Sequence, residues 1–307
     1  MRIKNGEQFL RLAIESHLPH LDEIVACHNG CTDRTVAILE ALAKEHPGKI
    51  RIHAYAPEVH PPRSAWHDRT PTGSVHGLAN YYNWALSKAS FSHATKLDDD
   101  HLAIPGRLAA AVARVRRDIA RGARRLHTFS GLNASVREDG ELGVLANAPF
   151  SGDGDILFFP VSPRATFRQA PVCERFHFEG RAERVYLGLV YVHLKFAKTH
   201  LGLEYLDPLA RRLEEEKHAA TARWEAFERF RSPASVQALI RRVPRLRWFL
   251  RTHPAPAAVA RLVTGRNPPL HLARLMRLER DLAEVDWRSV VEQVLGRPQE
   301  RRERLRA

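Results

Sequence analysis

Cysteine is scarce in this sequence, and long apolar runs are missing from it. The three cysteines, Cys27, Cys31 and Cys173, are too few and odd in number for a disulfide framework, which favours a reducing compartment. No run reaches the roughly 18 to 20 consecutive apolar residues that cross a bilayer, and the opening residues lack the apolar centre of a secretory signal peptide. We therefore expect a cytoplasmic protein rather than a secreted or membrane-spanning one.

Acidic residues are outnumbered by basic ones. The chain of 307 residues has 48 Lys and Arg against 35 Asp and Glu, a formal net charge of +13, so we expect its partner, substrate or resting surface to be anionic. Nucleic acid, nucleotide phosphates and acidic lipid headgroups all fit this charge. Residues 205–307 contain 21 Arg and one Lys against 13 Asp and Glu, a net charge of +9, and so hold most of the excess.

Strand and helix patterns alternate over residues 1–204, which predicts an α/β domain with a Rossmann-like sheet flanked by helices. Short apolar strands are predicted at 23–27, 50–55 and 93–97. Amphipathic helices are predicted at 9–16, 32–45, 75–89 and 105–121. Later strand-like stretches at 126–132, 142–145 and 156–161 predict that the sheet becomes mixed.

The last third, residues 205–307, is predicted to be a basic helical region broken by prolines. Its segment 236–250 mixes large apolar residues with arginines, a composition suited to peripheral contact with an anionic membrane. A core or partner-facing helix with a solvated basic side explains the same pattern. Both interpretations stay open at this point.

Asp98, Asp99 and Asp100 form an acidic triplet directly after a predicted apolar strand. Three adjacent carboxylates repel one another unless a cation neutralises them, and carboxylate oxygens suit Mg²⁺ or Mn²⁺. In open α/β sheets, ligands bind beyond the carboxyl ends of the strands. The alternative is an acidic turn that caps the helix beginning near Pro105. We expect the whole triplet to bind a divalent metal.

A second polar turn, residues 28–33, follows the predicted strand 23–27 and precedes a helix. Gly30 would permit a positive φ there, and Thr32 or Asp33 would cap the helix. Cys27, His28 and Cys31 lack the fourth ligand and the paired spacing of a zinc site, so zinc is not expected.

Three segments together resemble the nucleotide-sugar glycosyltransferases of family 2, which have the GT-A fold. Residues 4–10 (KNGEQFL) resemble that family's opening loop and first helix, residues 22–35 resemble its second strand and Asp-rich turn, and residues 97–100 (LDDD) resemble its DxD motif. They occur in order and at suitable spacing over about residues 1–110. Single segments of this kind would be weak signals.

The resemblance implies a nucleotide-sugar donor whose diphosphate is bridged by Mn²⁺ or Mg²⁺. The donor-binding residues that it implies are Asn5, Glu7, His28, Asn29, Asp98 and Asp99. The metal ligands that it implies are Asp98, Asp100 and a late histidine, His193. A lone histidine among apolar residues is also common in cores and interfaces, so His193 has two interpretations.

Transfer with inversion would need a carboxylate that accepts the acceptor's proton. The family supplies it from an acidic pair well after the DxD motif, and this chain has no clean pair there. The candidates are Glu174, with Glu179 behind it, and Asp155 beside Asp153. Glu174 and Asp155 are our two predicted catalytic residues, and an ordinary Gly-rich turn explains Asp153 and Asp155 equally well.

The expected function is metal-dependent transfer of a sugar to a polysaccharide or lipid-linked glycan acceptor, peripheral at the inner face of the membrane. A metal-dependent nucleotidyl- or phosphoryl-transfer enzyme is one alternative. A non-catalytic basic nucleic-acid-binding protein is another, but no helix-turn-helix, zinc-finger or RNA-binding signature supports it. Binding to nucleic acid is therefore not expected.

The first strand is unusually short for the family that the chain resembles. Only Met1, Arg2 and Ile3 precede the loop at Asn5, whereas a central strand needs several more apolar residues. We expect the natural reading frame to begin upstream and to supply the rest of this strand.

Overall fold

The computed structural model describes most of the first 198 residues and a few short segments after them. The described residues are 1–60, 64–136, 142–145, 150–151, 156–170, 173–198, 224–226, 280–282, 284–285, 290 and 292.

The first part of the chain forms a three-stranded parallel sheet. Its strands are β1 (Arg2–Ile3), β2 (Ile24–His28) and β3 (Ile50–Ala54), in that spatial order. Two crossover helices, α1 (Leu10–His17) and α2 (Thr35–Glu45), connect them. Apolar residues at helical spacing on both helices are buried in one cluster with the strand residues, which is why the alternating pattern produced this unit.

Two further helices follow the third strand before the next strands begin. A short helix, α3 (Ala65–Arg69), starts at Ser64, whose hydroxyl accepts a hydrogen bond from the His67 amide. The sequence pattern did not predict it. The next helix, α4 (Leu78–Leu86), begins later than predicted because residues 74–77 form a turn closed by the Gly77 amide and the Ser74 carbonyl.

The second part of the chain forms a mixed sheet. Its strands are β4 (His93–Thr95), β5 (His101–Ala103), β6 (Arg125–Val136), β7 (Leu142–Leu145), β8 (Phe150–Ser151), β9 (Leu157–Pro160), β12 (Glu183–Phe196) and β13 (Trp224–Ala226). Between β9 and β12, the strands β10 (Ala165–Ala170) and β11 (Cys173–Phe178) form an antiparallel ribbon. The long strand β12 lies parallel to β6 and antiparallel to β5. The predicted mixed α/β architecture is confirmed.

The strand predicted at 93–97 differs from expectation in its end and its partner. It ends at Thr95 and pairs with β9 in the mixed sheet, not with the parallel sheet. Leu97 is nonetheless buried in the apolar cluster of the parallel sheet. The two sheets are therefore in contact through side chains near Leu97, although no strand pairing joins them in the described residues.

Helix α5 (Arg107–Ala120) covers the mixed sheet with one apolar face. Leu108, Ala111, Val112 and Val115 are buried on that face at spacings of three and four residues, as an amphipathic helix requires. No helix in the described ranges is both long and apolar enough to cross a bilayer.

Most of the predicted basic helical region, 205–307, and all of the segment 236–250 lie outside the described residues. The boundary at 204/205 stays a prediction. Within that region Trp224–Ala226 is a strand paired with β7, not a helix. Further on, Asp281 is fully buried. It accepts hydrogen bonds from Arg107 Nη1 at 2.6 Å and from the Leu189 amide at 2.9 Å, so this part of the chain contacts both α5 and β12.

Candidate metal and donor site

The acidic triplet lies in the turn between β4 and β5, and the sheet register brings two histidines to it. His101 begins β5 and pairs directly with His193 of the antiparallel strand β12. The Leu194 amide donates to the Asp100 carbonyl at 2.8 Å, which fixes the turn against β12. As a result, one ligand atom from each of Asp100, His101 and His193 lies within 4.8 Å of the other two. Two imidazoles and one carboxylate form a donor set that suits a divalent transition metal.

The orientation of His193 supports a cation at this cluster. His193 Nδ1 lies 2.8 Å from Asn133 Oδ1, so Nδ1 carries a proton and donates it. In the neutral ring the Nε2 lone pair then faces Asp100 Oδ1, which is 3.4 Å away. That carboxylate oxygen is buried and has no hydrogen-bond partner within the described part of the chain. Two facing acceptors repel each other unless a proton or a metal ion lies between them, so the residues fit a bound cation.

Lys198 neutralises the other side of the acidic triplet. Its Nζ lies 2.9 Å from Asp99 Oδ2 and 2.8 Å from Asp100 Oδ2. Burial opposes ionisation of Asp100, but a proton on the facing His193 nitrogen and the charge of Lys198 outweigh it and hold the pKa of Asp100 well below its ordinary value. Burial and the neighbouring charge of Asp100 raise the pKa of Asp99. Asp100 is therefore an anion, with Oδ2 bound by Lys198 and Oδ1 facing the histidines.

His101 is a neutral, rigidly packed ring. It is 3% exposed, and burial lowers its pKa to about 3. The ring stacks on Tyr191 with centroids 4.0 Å apart. Tyr191 in turn lies over Gly131, where an added Cβ would come within 2.2 Å of the tyrosine ring. A neutral imidazole is the form that binds metals, and this packing fixes its position.

Lys96 joins two carboxylates from different parts of the chain. Its Nζ lies 3.6 Å from Asp98 Oδ2 and 3.4 Å from Oε1 of Glu174, a residue of β11. Burial opposes the charge on Asp98, but the charge of Lys96 outweighs it and lowers the pKa of Asp98 to about 2. Glu174, the predicted base, is 8% exposed. Its contact with Lys96 shows that it lies beside the acidic triplet.

The loop at residues 5–7 and the turn at residues 32–35 are bound to each other. The Asn5 side chain exchanges two hydrogen bonds with Thr32, at 2.9 and 3.1 Å. The Gly6 amide donates to Thr35 Oγ1 at 2.8 Å, and Glu7 accepts from the Arg34 amide at 2.9 Å. These contacts explain why the two motifs occur together in the sequence. Asn5 also has a positive φ of 52°.

Gly6 places this pair of loops against the acidic triplet. A Cβ at Gly6 would lie 2.8 Å from Asp99 Oδ2 and 3.0 Å from Asp99 Cβ, a separation that only glycine accommodates without a shift. All three sequence segments that resemble the glycosyltransferases therefore meet at one place. The predicted donor contacts of Asn5, Glu7 and Asp99 stay predictions.

His28 and Asn29, the other predicted donor residues, lie at the carboxyl end of β2. Asn29 is 4% exposed, and its Nδ2 donates to the carbonyls of Tyr55 and Pro57, at 2.7 Å each. Both amide hydrogens of Asn29 are thus used to hold the loop after β3. A contact between the nucleotide and His28, which is half-buried, stays a prediction.

The second candidate base, Asp155, and its neighbour Asp153 lie outside the described residues. Glu179 is exposed just after β11.

Four residues of the site were missed by sequence reasoning: His101, Lys96, Lys198 and Asn133. His101 follows the triplet directly and Lys96 precedes it by two positions, so adjacency was an available signal. Lys198 and Asn133 became identifiable only from the pairing of β12 with β5 and β6.

No protein-family model matches the chain, and no curated protein matches it either. Among solved structures, one similar chain is residues 1–349 of TarS from S. aureus. The identity is 14% and the TM-score is 0.33, over 52% of this chain and 45% of that chain. The match thus spans less than half of the TarS chain.

Proposed function

We propose that this protein is a metal-dependent glycosyltransferase that moves a sugar from a nucleotide-sugar donor to a glycan or lipid-linked acceptor. The main observation is the cluster of Asp100, His101 and His193, in which a buried carboxylate oxygen without a hydrogen-bond partner faces an imidazole nitrogen at 3.4 Å. The cluster lies next to the motifs that resemble the family, at an edge where α/β sheets bind ligands.

The donor set favours Mn²⁺ over Mg²⁺. Mg²⁺ prefers oxygen ligands in octahedral geometry, whereas imidazole suits transition metals. Asp100, His101 and His193 would hold the ion, and Asp98 lies next to it in the turn. When bound, such an ion neutralises charge on the diphosphate of the donor. Asn133 fixes the tautomer of His193, and Lys198 fixes the carboxylate of Asp100.

Glu174 is the proposed general base. A base must lie within hydrogen-bond reach of the acceptor hydroxyl in the bound complex, and Glu174 lies beside Asp98 through their shared contact with Lys96. The Glu174 carboxylate would take the proton as the hydroxyl oxygen attacks the anomeric carbon and the nucleoside diphosphate departs. Asp155 stays the alternative base. The basic residues 205–307 would supply the acceptor or membrane contact in this proposal.

The first test measures Mn²⁺ binding by titration calorimetry in the wild type, Asp100→Asn and Asp22→Asn. Asp22 is an exposed carboxylate paired with Arg116, and it controls for the loss of one negative charge elsewhere. We expect Asp100→Asn to weaken Mn²⁺ binding at least tenfold and Asp22→Asn to leave it unchanged. Equal affinity in all three proteins would contradict the metal assignment and leave a protonated His193 as the partner of Asp100.

The second test identifies the reaction. A thermal-shift panel of UDP-, GDP-, CMP- and dTDP-sugars with and without Mn²⁺ finds the donor, because a ligand of the native state raises the melting temperature. Product analysis with that donor should then show a transferred sugar and a free nucleoside diphosphate. Release of pyrophosphate from a nucleoside triphosphate would instead identify a nucleotidyltransferase. Glu174→Gln should abolish transfer while leaving Mn²⁺ binding intact.

A further inference from the structure

Three aromatic rings approach one another on the segment between β3 and α4. The His60 ring stacks on His76 with centroids 5.2 Å apart, and its centroid lies 6.1 Å from that of Trp66. We call these three residues the aromatic platform. Trp66 is 65% exposed, and Val75, next to His76, is 49% exposed. Within the described ranges only four large hydrophobic side chains are exposed, and a concentration of two of them here indicates a binding surface.

Hydrogen bonds hold the aromatic platform in place. The His60 amide donates to the His76 carbonyl at 2.9 Å, which joins the two ends of the segment. Gln169 of β10 donates from Nε2 to the carbonyls of His67 and Thr70, at 3.3 and 3.2 Å, which fixes α3 against the β10–β11 ribbon. Because the rings are already positioned, a ligand that stacks on them pays little for ordering the protein.

The two stacked histidines have the same tautomer. His76 Nδ1 lies 2.7 Å from the Glu58 carbonyl, which only accepts, so this nitrogen carries the proton. The Thr70 hydroxyl donates to the Trp66 carbonyl and therefore accepts from His60 Nδ1 at 2.7 Å. In both neutral rings Nε2 is then an acceptor. Neither Nε2 has a hydrogen-bond partner among the residues that the structure describes.

The ribbon places the aromatic platform beside the proposed base. Gln169, which anchors α3, lies directly opposite Glu174 in the pairing of β10 with β11. Side chains opposite each other in an antiparallel pair lie on the same face, with Cβ atoms about 4.5–5.5 Å apart. Helix α3 is therefore anchored on the face of the ribbon that carries Glu174.

We propose that the aromatic platform binds a sugar ring of the acceptor. This inference rests on the proposed function, because Glu174 as the base sets where the acceptor hydroxyl lies. The C–H groups on one face of a pyranose ring pack against the Trp66 indole, and sugar hydroxyls donate to Nε2 of His60 and His76. The acceptor is thus a glycan with an accessible pyranose ring, rather than a bare lipid, a polyol or a protein side chain.

The test measures sugar binding to the full chain by saturation-transfer NMR, without Mn²⁺ or nucleotide. The probes are the methyl glycosides of glucose, galactose, mannose, rhamnose, N-acetylglucosamine and N-acetylgalactosamine, together with UMP, GMP and CMP. We expect at least one glycoside to bind the wild type and to bind Trp66→Ala about tenfold more weakly. Trp66→Phe should recover part of the affinity. Phe91→Ala removes an exposed aromatic ring outside the platform and should leave the affinity unchanged.

A kinetic readout follows once product analysis has identified the donor and the acceptor. Trp66→Ala should raise KM for the acceptor about tenfold and leave kcat and KM for the donor nearly unchanged, because the stacked ring is bound equally in the ground state and the transition state. A fall in kcat with unchanged acceptor KM would contradict a binding role.

Three binding results would overturn the inference. The first is that no glycoside binds the wild type, and the second is equal binding by Trp66→Ala and Phe91→Ala. The third is that Trp66→Ala loses affinity for a nucleoside monophosphate alone, because the platform then belongs to the donor. Failure of the proposed function gives a different result: glycoside binding that depends on Trp66 without any sugar transfer would refute the enzyme activity and support the sugar site.

Discussion

Replacing Lys198 by methionine should destabilise the protein strongly and make its stability depend on divalent metal. The lysine ammonium contacts Asp99 and Asp100 at 2.9 and 2.8 Å, and the lysine and Asp99 side chains are each only 17% exposed. Coulomb's law at an effective dielectric constant of about 20 gives roughly 6 kcal/mol of gross attraction for each such contact. The cost of burying the charges offsets much of this.

The net effect of the variant is set by the carboxylates that it leaves behind. Removing one partner of a buried ion pair costs about 3 to 5 kcal/mol, because the remaining charge is uncompensated. We therefore expect Lys198→Met to lower the free energy of unfolding by about 3 kcal/mol or more. Lys44→Met, which changes an exposed lysine on α2, is the control and should change it by less than about 0.5 kcal/mol.

Chemical denaturation of the two variants and the wild type, with and without Mn²⁺, tests this. If the acidic triplet binds metal, Mn²⁺ should stabilise Lys198→Met, because an ion bound only by the native state adds its binding free energy. The double variant Lys198→Met with Asp99→Asn should recover part of the loss, since one negative charge is removed with the positive one. A cost below about 1 kcal/mol for Lys198→Met would refute a buried, energetically coupled charge cluster.

Three further predictions concern residues around the site. His17→Asn should reduce the acid sensitivity of the protein, because burial lowers the pKa of His17 from 6.5 to about 4. The contribution of the neutral His17 to wild-type stability is fully present above pH 6.5 and decreases by about 3 kcal/mol as the pH falls toward 4. Denaturation at several pH values tests this, and an equal loss of stability in both proteins would contradict it. Asn133→Leu should weaken Mn²⁺ binding about 10- to 100-fold, because His193 loses the acceptor that fixes its tautomer, and unchanged calorimetric affinity would count against that role. Gly131→Ala should also weaken Mn²⁺ binding, since the new methyl group displaces the Tyr191 ring; the matched change Gly48→Ala lies in an exposed turn and should leave the affinity unchanged.

The local elements of this fold were largely predictable from the sequence. The periodicities that predicted α1, α2 and the strand before His28 depend on contacts between near neighbours, and the structure has these elements within a few residues of the predicted bounds. The position of the acidic triplet at the end of a strand region was predictable for the same reason. The partner of β4 was not, because strand pairing is decided by contacts between residues far apart in the chain.

The candidate site was predictable in part. Asp100 and His193 were expected to share a metal, and the structure places them 3.4 Å apart. His101 was missed because its role arises only when β5 and β12 pair in the observed register. The acidic triplet was expected to be neutralised by a metal alone, whereas Lys96 and Lys198 contribute much of the positive charge. A side chain that approaches from a distant strand leaves no local pattern.

The burial of Asp281 limits how far this protein can be treated as modular. A truncation after residue 204 would remove the carboxylate that binds Arg107 and the Leu189 amide, and it would leave a backbone donor of β12 without its partner. Because β12 also carries His193, we expect a shortened chain to bind metal less tightly at this cluster through altered strand geometry alone. Loss of activity after removal of residues 205–307 would therefore not show that these residues recognise the acceptor.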